Sequence, residues 1–150
     1  MSPLQPGAVA PAIPGLAFGD GPVGLFFFKV TCPTCQLAAP TMQGFEQAFP
    51  GRVIGVGQDP EPDLEAFGNA YAMGIRAVRD APPYPVSDAY GIVSVPTLFL
   101  VGEDGRILET VGAWDRAGFN GVAAAMAGLT GVEAPVISRP DDGLPDFKPG

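Results

Sequence analysis

The chain has 150 residues, of which 47% are hydrophobic, and this length and composition fit one folded domain rather than a disordered chain. Its net charge is −8 and its only lysines are Lys29 and Lys148, so it lacks the clustered basic residues that bind nucleic acids or anionic membranes. It has no histidine, which excludes Cys-His proteases, Ser-His-Asp hydrolases and most zinc and copper sites.

Residues 1–20 predict an extended leader interrupted by proline and glycine. This stretch carries no Lys or Arg ahead of a hydrophobic segment and so does not fit a secretory signal peptide. No apolar run approaches the roughly 20 residues that a membrane-spanning helix needs. We therefore expect a cytoplasmic protein with no membrane partner. In that compartment a cysteine pair is more often catalytic than a structural disulfide.

The following residues predict strands that alternate with helices. An apolar strand is predicted at 25–30, and a helix at 33–49 contains Pro40, where a kink is expected. The remaining elements are predicted at 52–57 (strand), 63–71 (helix), 75–78 (short strand), 86–90 (helical turn), 93–101 (strand), 107–111 (strand of a hairpin) and 115–129 (helix capped by Asp115). This order predicts an α/β fold with a mixed central sheet and helices on both faces. Residues 130–150 predict a Pro-rich tail, either mobile or strapped to the surface.

The only two cysteines lie in the sequence Cys32-Pro33-Thr34-Cys35, where a predicted strand gives way to a helix. Pro33 suits the first helical position, and the helix N-terminus favours a thiolate at Cys32, which makes it the expected nucleophile. Cys35 lies on the same helical face and is expected to be less exposed and to act as the resolving thiol. The alternatives are two core thiols or half of a metal site. A metal site needs about four ligands, and only carboxylates are left to complete it.

Several segments together resemble the thioredoxin-like superfamily, in particular its TlpA-like branch. Cys-Pro-Thr-Cys resembles the motif of the DsbE/CcmG-type reductases of that branch. The other matching segments are Gly-Ala-Val-Ala-Pro at 7–11, the apolar strand at 25–28, Pro40, Tyr-Gly-Ile-Val-Ser-Val-Pro-Thr-Leu-Phe-Leu at 90–100, and Asp-Gly-Arg-Ile at 104–107. The resemblance implies a single thioredoxin-like domain over 1–150, with its core at about 7–129 and the tail at 130–150.

The resemblance also implies roles for residues outside the cysteine motif. Pro96 is expected to follow a cis peptide bond and to pack beside the dithiol, and the backbone of Val95 is expected to pair with substrate. Thr31 stands where the superfamily usually has Trp, which predicts a smaller and more polar surface around the nucleophile. Phe26 stands where thioredoxins have a buried Asp, so the proton acceptor for the resolving thiol is unassigned. Asp59, at the end of the second strand, is a candidate by topology.

The sequence therefore predicts a thiol–disulfide oxidoreductase. Cys32 attacks a protein or small-molecule disulfide, Cys35 resolves the mixed disulfide, and an upstream thiol reductant restores the pair. No cofactor or metal is expected beyond the redox-active disulfide itself. Pro33, Thr34 and Thr31 are expected to support the two cysteines. One alternative is a peroxiredoxin-like thiol peroxidase, although Lys29 stands where such enzymes carry Thr or Ser before the reactive Cys. Another is a non-enzymatic binding module of the same fold.

Overall fold

A computed structural model describes residues 2–150 of the chain. The elements in chain order are β1 (Val23–Phe28), α1 (Pro33–Ala48), β2 (Val53–Gly57), α2 (Glu61–Ala70), β3 (Arg76–Arg79), α3 (Pro85–Ala89), β4 (Thr97–Val101), β5 (Ile107–Gly112), β6 (Trp114–Asp115), α4 (Arg116–Thr130) and β7 (Phe147–Lys148). Within the described part of the chain, every helix is too short or too polar to cross a membrane.

A mixed five-stranded sheet forms the centre of the molecule, in the order β3-β2-β1-β4-β5. β1 pairs in parallel with β2 and antiparallel with β4, and β2 pairs in parallel with β3. β4 and β5 form the antiparallel hairpin predicted from the turn sequence. The predicted α/β fold with a mixed sheet is confirmed, and β1 is its central strand.

The central strand is apolar throughout because both of its faces are covered. Phe26 and Phe28 pack in a hydrophobic cluster with residues of α1, α2 and α4. Leu25 and Phe27 point to the other face and pack with residues of α3 and the leader. Because side chains alternate along a strand, the run of consecutive large apolar residues supplies both layers of the core.

Backbone hydrogen bonds hold the leader against the edge of the sheet. The amide of Gly7 donates to the carbonyl of Ile107 at 2.8 Å, and the amide of Ile107 donates to Ala8 at the same distance. The amide of Ala10 donates to the carbonyl of Gly105 at 2.8 Å. The leader therefore lies along β5 as an additional edge segment.

The last helix and the tail differ in how well the sequence predicts them. Asp115 caps α4 as expected, since its carboxylate accepts a hydrogen bond from the amide of Gly118 at 3.1 Å. Residues 131–150 are held against the surface. Near the end of this tail lies the unpredicted strand β7, which pairs antiparallel with β6.

β1 ends at Phe28, two residues before the predicted end, and the chain from Lys29 onward turns toward α1.

Candidate dithiol active site

The start of α1 positions the first cysteine for reaction. Cys32 is the N-cap residue, with extended backbone angles, and Pro33 occupies the first turn, where a missing N–H leaves no hydrogen bond unmade. The Cys32 sulfur accepts a hydrogen bond from the backbone amide of Cys35 at 3.2 Å. Both cysteines are free thiols, and Cys32 is partly exposed. The arrangement gives one accessible sulfur at a helix N-terminus, beside a backbone donor.

Cys35 lies on the inward side of the same turn and is completely buried. Burial raises the pKa of the Cys35 thiol well above its ordinary value, and the hydrogen bond with Cys32 and the negative charge of Asp59 act in the same direction. Cys35 is therefore a neutral thiol at physiological pH. It needs a proton acceptor before it can act as a nucleophile.

The loop that leads from β1 into the motif is held on both sides. The amide of Val30 donates to the Asp59 carboxylate at 2.9 Å. The Val30 carbonyl accepts a hydrogen bond from the side-chain amide of Gln36, also at 2.9 Å. Asp59 is thus brought to the site from the end of β2, as its position in the topology suggested. Gln36, which the sequence analysis did not single out, is a second support of this loop.

A second segment meets the motif from the opposite side. The peptide bond between Val95 and Pro96 is cis, as the sequence resemblance implies. The carbonyl of Val95 lies 3.5 Å from the Cys32 sulfur and accepts a hydrogen bond from its thiol. Pro96 is buried and Val95 is half-buried. The two segments that the sequence predicted to form the site are therefore in direct contact.

The supporting residues of the motif take different positions. Thr31 and Pro33 are exposed, whereas Thr34 is buried. The Thr34 hydroxyl donates a hydrogen bond of 2.7 Å to the carbonyl of Pro149, in the tail. Sequence reasoning missed this contact, because a Pro-rich tail carries no periodic pattern that would place it.

We also looked for side chains that could bind a metal ion near the two cysteines or elsewhere. Across residues 2–150, no group of three or more Cys, Asp or Glu side chains is arranged so that it could hold a metal ion.

The five-stranded mixed sheet and the Cys-Pro-Thr-Cys turn facing a cis-proline segment define a thioredoxin-like protein. The AhpC/TSA family matches residues 16–110, which is more than half of the chain, and the chain belongs to this family. The matched region contains the cysteine motif, the Val95–Pro96 segment and all but the last residues of β5.

One curated relative matches part of the chain. The chain is 29% identical over 91 residues to the thiol-disulfide oxidoreductase ResA of Halalkalibacterium halodurans, and the match covers 58% of this chain and 51% of the relative. The chain thus spans about half the length of this curated relative.

Solved structures that share the fold include the following two. StoA from Bacillus subtilis superposes with a TM-score of 0.56 at 26% identity, covering 65% of this chain and 76% of StoA. The thioredoxin domain of a thiol-disulfide oxidoreductase from Bacteroides vulgatus superposes with a TM-score of 0.69 at 23% identity, covering 82% of this chain and 99% of that domain.

Proposed function

We propose that this protein is a thiol–disulfide oxidoreductase that reduces disulfides with the Cys32–Cys35 dithiol. The observation that carries the proposal is the pairing of a partly exposed Cys32 sulfur at a helix N-terminus with a buried Cys35 three residues later. An accessible nucleophile and a protected resolving thiol are the two parts that disulfide exchange requires. The similarity to ResA supports the same reaction class.

The reaction proceeds in two exchange steps. The Cys32 thiolate attacks one sulfur of the substrate, a mixed disulfide forms, and the substrate disulfide bond breaks, releasing a thiolate that takes a proton from solvent. Cys35 then loses its proton and attacks the Cys32 sulfur. The Cys32–Cys35 disulfide forms, the mixed disulfide breaks, and the second substrate thiol leaves. Two electrons pass from the dithiol to the substrate.

Asp59 is our proposed proton acceptor for the second step. Its carboxylate is fixed by the Val30 amide, and its negative charge acts on the Cys35 thiol. A general base close to a neutral thiol supplies the thiolate that attack requires. The substrate strand is proposed to pair with the backbone of Val95, beside Pro96.

The partners follow from the chemistry. The proposed substrates are protein or small-molecule disulfides, and an upstream thiol reductant returns the oxidised pair to the dithiol. The two sulfurs carry the electrons in these steps, and Asp59 takes part only as the acceptor of the Cys35 proton. The finer assignment to the TlpA-like, DsbE/CcmG-type branch is supported by the Cys-Pro-Thr-Cys sequence. The cytoplasmic location stays a prediction, which fractionation of the native cells checks.

Two cysteine variants test the mechanism. Cys32→Ser is expected to abolish disulfide reduction, because it removes the attacking sulfur. Cys35→Ser is expected to retain the attack and accumulate the mixed disulfide on Cys32, visible by mass spectrometry. Reduction by the Cys32→Ser variant at the wild-type rate would refute the proposal. Peroxide consumption far above that of a free thiol would favour the peroxidase alternative instead.

The reduction potential of the pair tests the direction of electron flow. Equilibration in thiol/disulfide buffers is expected to give a value near about −270 mV, as for thioredoxin. A value near about −120 mV would mark an oxidant and reverse the proposed direction.

A further inference from the structure

The tail is anchored at a buried arginine before it reaches the active site. Arg116, at the start of α4, is only 7% exposed. Its guanidinium donates to the Ser138 hydroxyl at 3.1 Å, to the Asp142 carboxylate at 3.0 Å, to the Leu144 carbonyl at 2.6 Å, and to the Asp146 carboxylate. A buried charge that is paired and hydrogen-bonded in this way holds the chain that supplies its partners. Residues 138–146 are therefore the fixed part of the tail.

Backbone contacts then direct the tail toward the cysteine motif. The indole N–H of Trp114 donates to the Pro145 carbonyl at 2.7 Å, and the Arg116 amide donates to the Asp146 carbonyl at 3.0 Å. The short β6–β7 ladder places Lys148 opposite Trp114. Beyond this ladder the chain continues as Pro149 and Gly150.

The final residues lie against both halves of the dithiol site. The Pro149 carbonyl accepts the hydrogen bond of Thr34, inside the Cys-Pro-Thr-Cys motif. Gly150 lies against the Val95 carbonyl so closely that a Cβ at this position would overlap it. The same Val95 carbonyl contacts the Cys32 thiol. The tail thus covers the backbone group that is expected to meet an extended substrate.

We propose that residues 147–150 occupy the position of an extended substrate segment and control the access of protein disulfides to Cys32. This inference rests on the proposed function. A protein disulfide arrives on an extended segment and must displace the tail from Val95 and Thr34, whereas a small disulfide reaches the partly exposed Cys32 sulfur beside it. The tail is suited to this exchange because the segment beyond Asp146 lacks the buried anchor, and Phe147 is 58% exposed. The tail therefore selects small disulfides over protein disulfides until it moves aside.

Two variants of the full protein release the segment in different ways. Truncation after Asp146 removes residues 147–150 and with them the β6–β7 ladder, but it keeps the Arg116 contacts and the hydrogen bond from the Trp114 indole to Pro145. Gly150→Ala keeps the chain length but places a methyl group where the Val95 carbonyl lies. Gly128→Ala is the matched control, since a Cβ there meets open space.

The pre-reduced proteins are mixed with insulin, as a protein disulfide, or with hydroxyethyl disulfide, and the single-turnover rate of oxidation is measured. Both release variants are expected to raise the ratio of the insulin rate to the hydroxyethyl disulfide rate by about fivefold, the factor that corresponds to losing one net hydrogen bond. Gly128→Ala is expected to leave the ratio unchanged. An unchanged ratio in both release variants, or an equal fall of both rates, would overturn the proposal.

A second readout separates this proposal from the enzymatic one. The rate at which Cys32 is alkylated by a polyethylene-glycol maleimide is compared with its rate for iodoacetamide, in proteins carrying Cys35→Ala. Release of the tail is expected to raise the rate for the bulky reagent relative to the small one, whether or not the protein reduces disulfides. Equal relative rates with and without the tail would overturn the covering role. Failure of disulfide reduction alone, with the relative rate raised, would refute only the proposed oxidoreductase function.

Discussion

The buried resolving thiol makes the stability of the reduced protein depend on pH in a predictable way. Burial raises the pKa of Cys35 in the native state, while an unfolded chain exposes a thiol with a pKa of about 8.5. The unfolded state therefore binds fewer protons than the native state at alkaline pH. The stabilisation is complete below pH of about 8.5 and is lost progressively as the pH rises, with a limiting slope of about 1.4 kcal/mol per pH unit.

The expected loss is large enough to measure. Between pH 9 and pH 10 the titration of one unfolded-state thiol lowers the free energy of unfolding by about 1.2 kcal/mol. For a chain of this size that loss lowers the melting temperature by about 2–5 °C. The assay is urea unfolding of the fully reduced protein at a series of pH values, followed by the fluorescence of Trp114.

The Cys35→Ala variant isolates the effect. Tyr90 is also buried, which raises the pKa of its phenol, but it contributes equally to both proteins and cancels in the comparison. The free energy of unfolding of the variant is expected to fall less steeply than that of the parent protein. Parallel curves over this range would show that native Cys35 ionises as readily as an unfolded thiol, which would refute the reasoning.

Three further predictions concern acidic residues. Asp59→Asn is expected to slow resolution of the mixed disulfide by about 100-fold, at the lower end of what a positioned base supplies, with accumulation of the Cys32 adduct followed by mass spectrometry. Asp115→Ala is expected to lower the free energy of unfolding by about 1 kcal/mol through loss of the α4 cap, whereas Asp141→Ala leaves it unchanged in the same urea titration. The hydrogen bond from the Ser138 hydroxyl lowers the pKa of the Asp142 carboxyl below its ordinary value, so the tail anchor is complete above pH of about 4 and weakens as the pH falls below it. The protection factors of the amides in residues 138–146, which correct for the pH dependence of intrinsic exchange, are expected to fall in acid.

Each of these predictions has an outcome that contradicts it. An unchanged resolution rate in Asp59→Asn would assign the proton to solvent. Equal destabilisation by Asp115→Ala and Asp141→Ala would leave the cap without a specific effect. Protection factors of the tail amides that stay constant between neutrality and pH 3 would show that the Asp142 carboxylate does not hold the anchor.

Local patterns account for what the sequence predicts well. The apolar run ending at Phe28, the proline at the first turn of α1 and the carboxylate of Asp115 each act over a few residues, so their consequences are visible without the fold. The pairing of Cys32 with the Val95 segment is a long-range contact. It was predicted only because a resemblance supplied the register.

The course of the tail depends on tertiary contacts that no local sequence pattern predicts. Arg116 looks like any exposed helical arginine in the sequence, yet in the fold it is buried among acceptors from residues 138–146. β6 and β7 are each two residues long, and all of α4 and most of the tail separate them in the sequence. Pairing of such short strands is set by tertiary packing rather than by strand propensity, so Pro-rich composition alone left the path open.

The leader along β5 has a consequence for self-association. A sheet edge with unpaired amides and carbonyls is a template for a strand from another molecule. The leader satisfies this edge at Ile107 and Gly105, and the opposite edge is the short strand β3, which exposes the charged residues Arg76 and Arg79. Both edges are thereby poor templates for polymerisation. Sheet extension between copies of the protein is therefore disfavoured at both ends of the sheet.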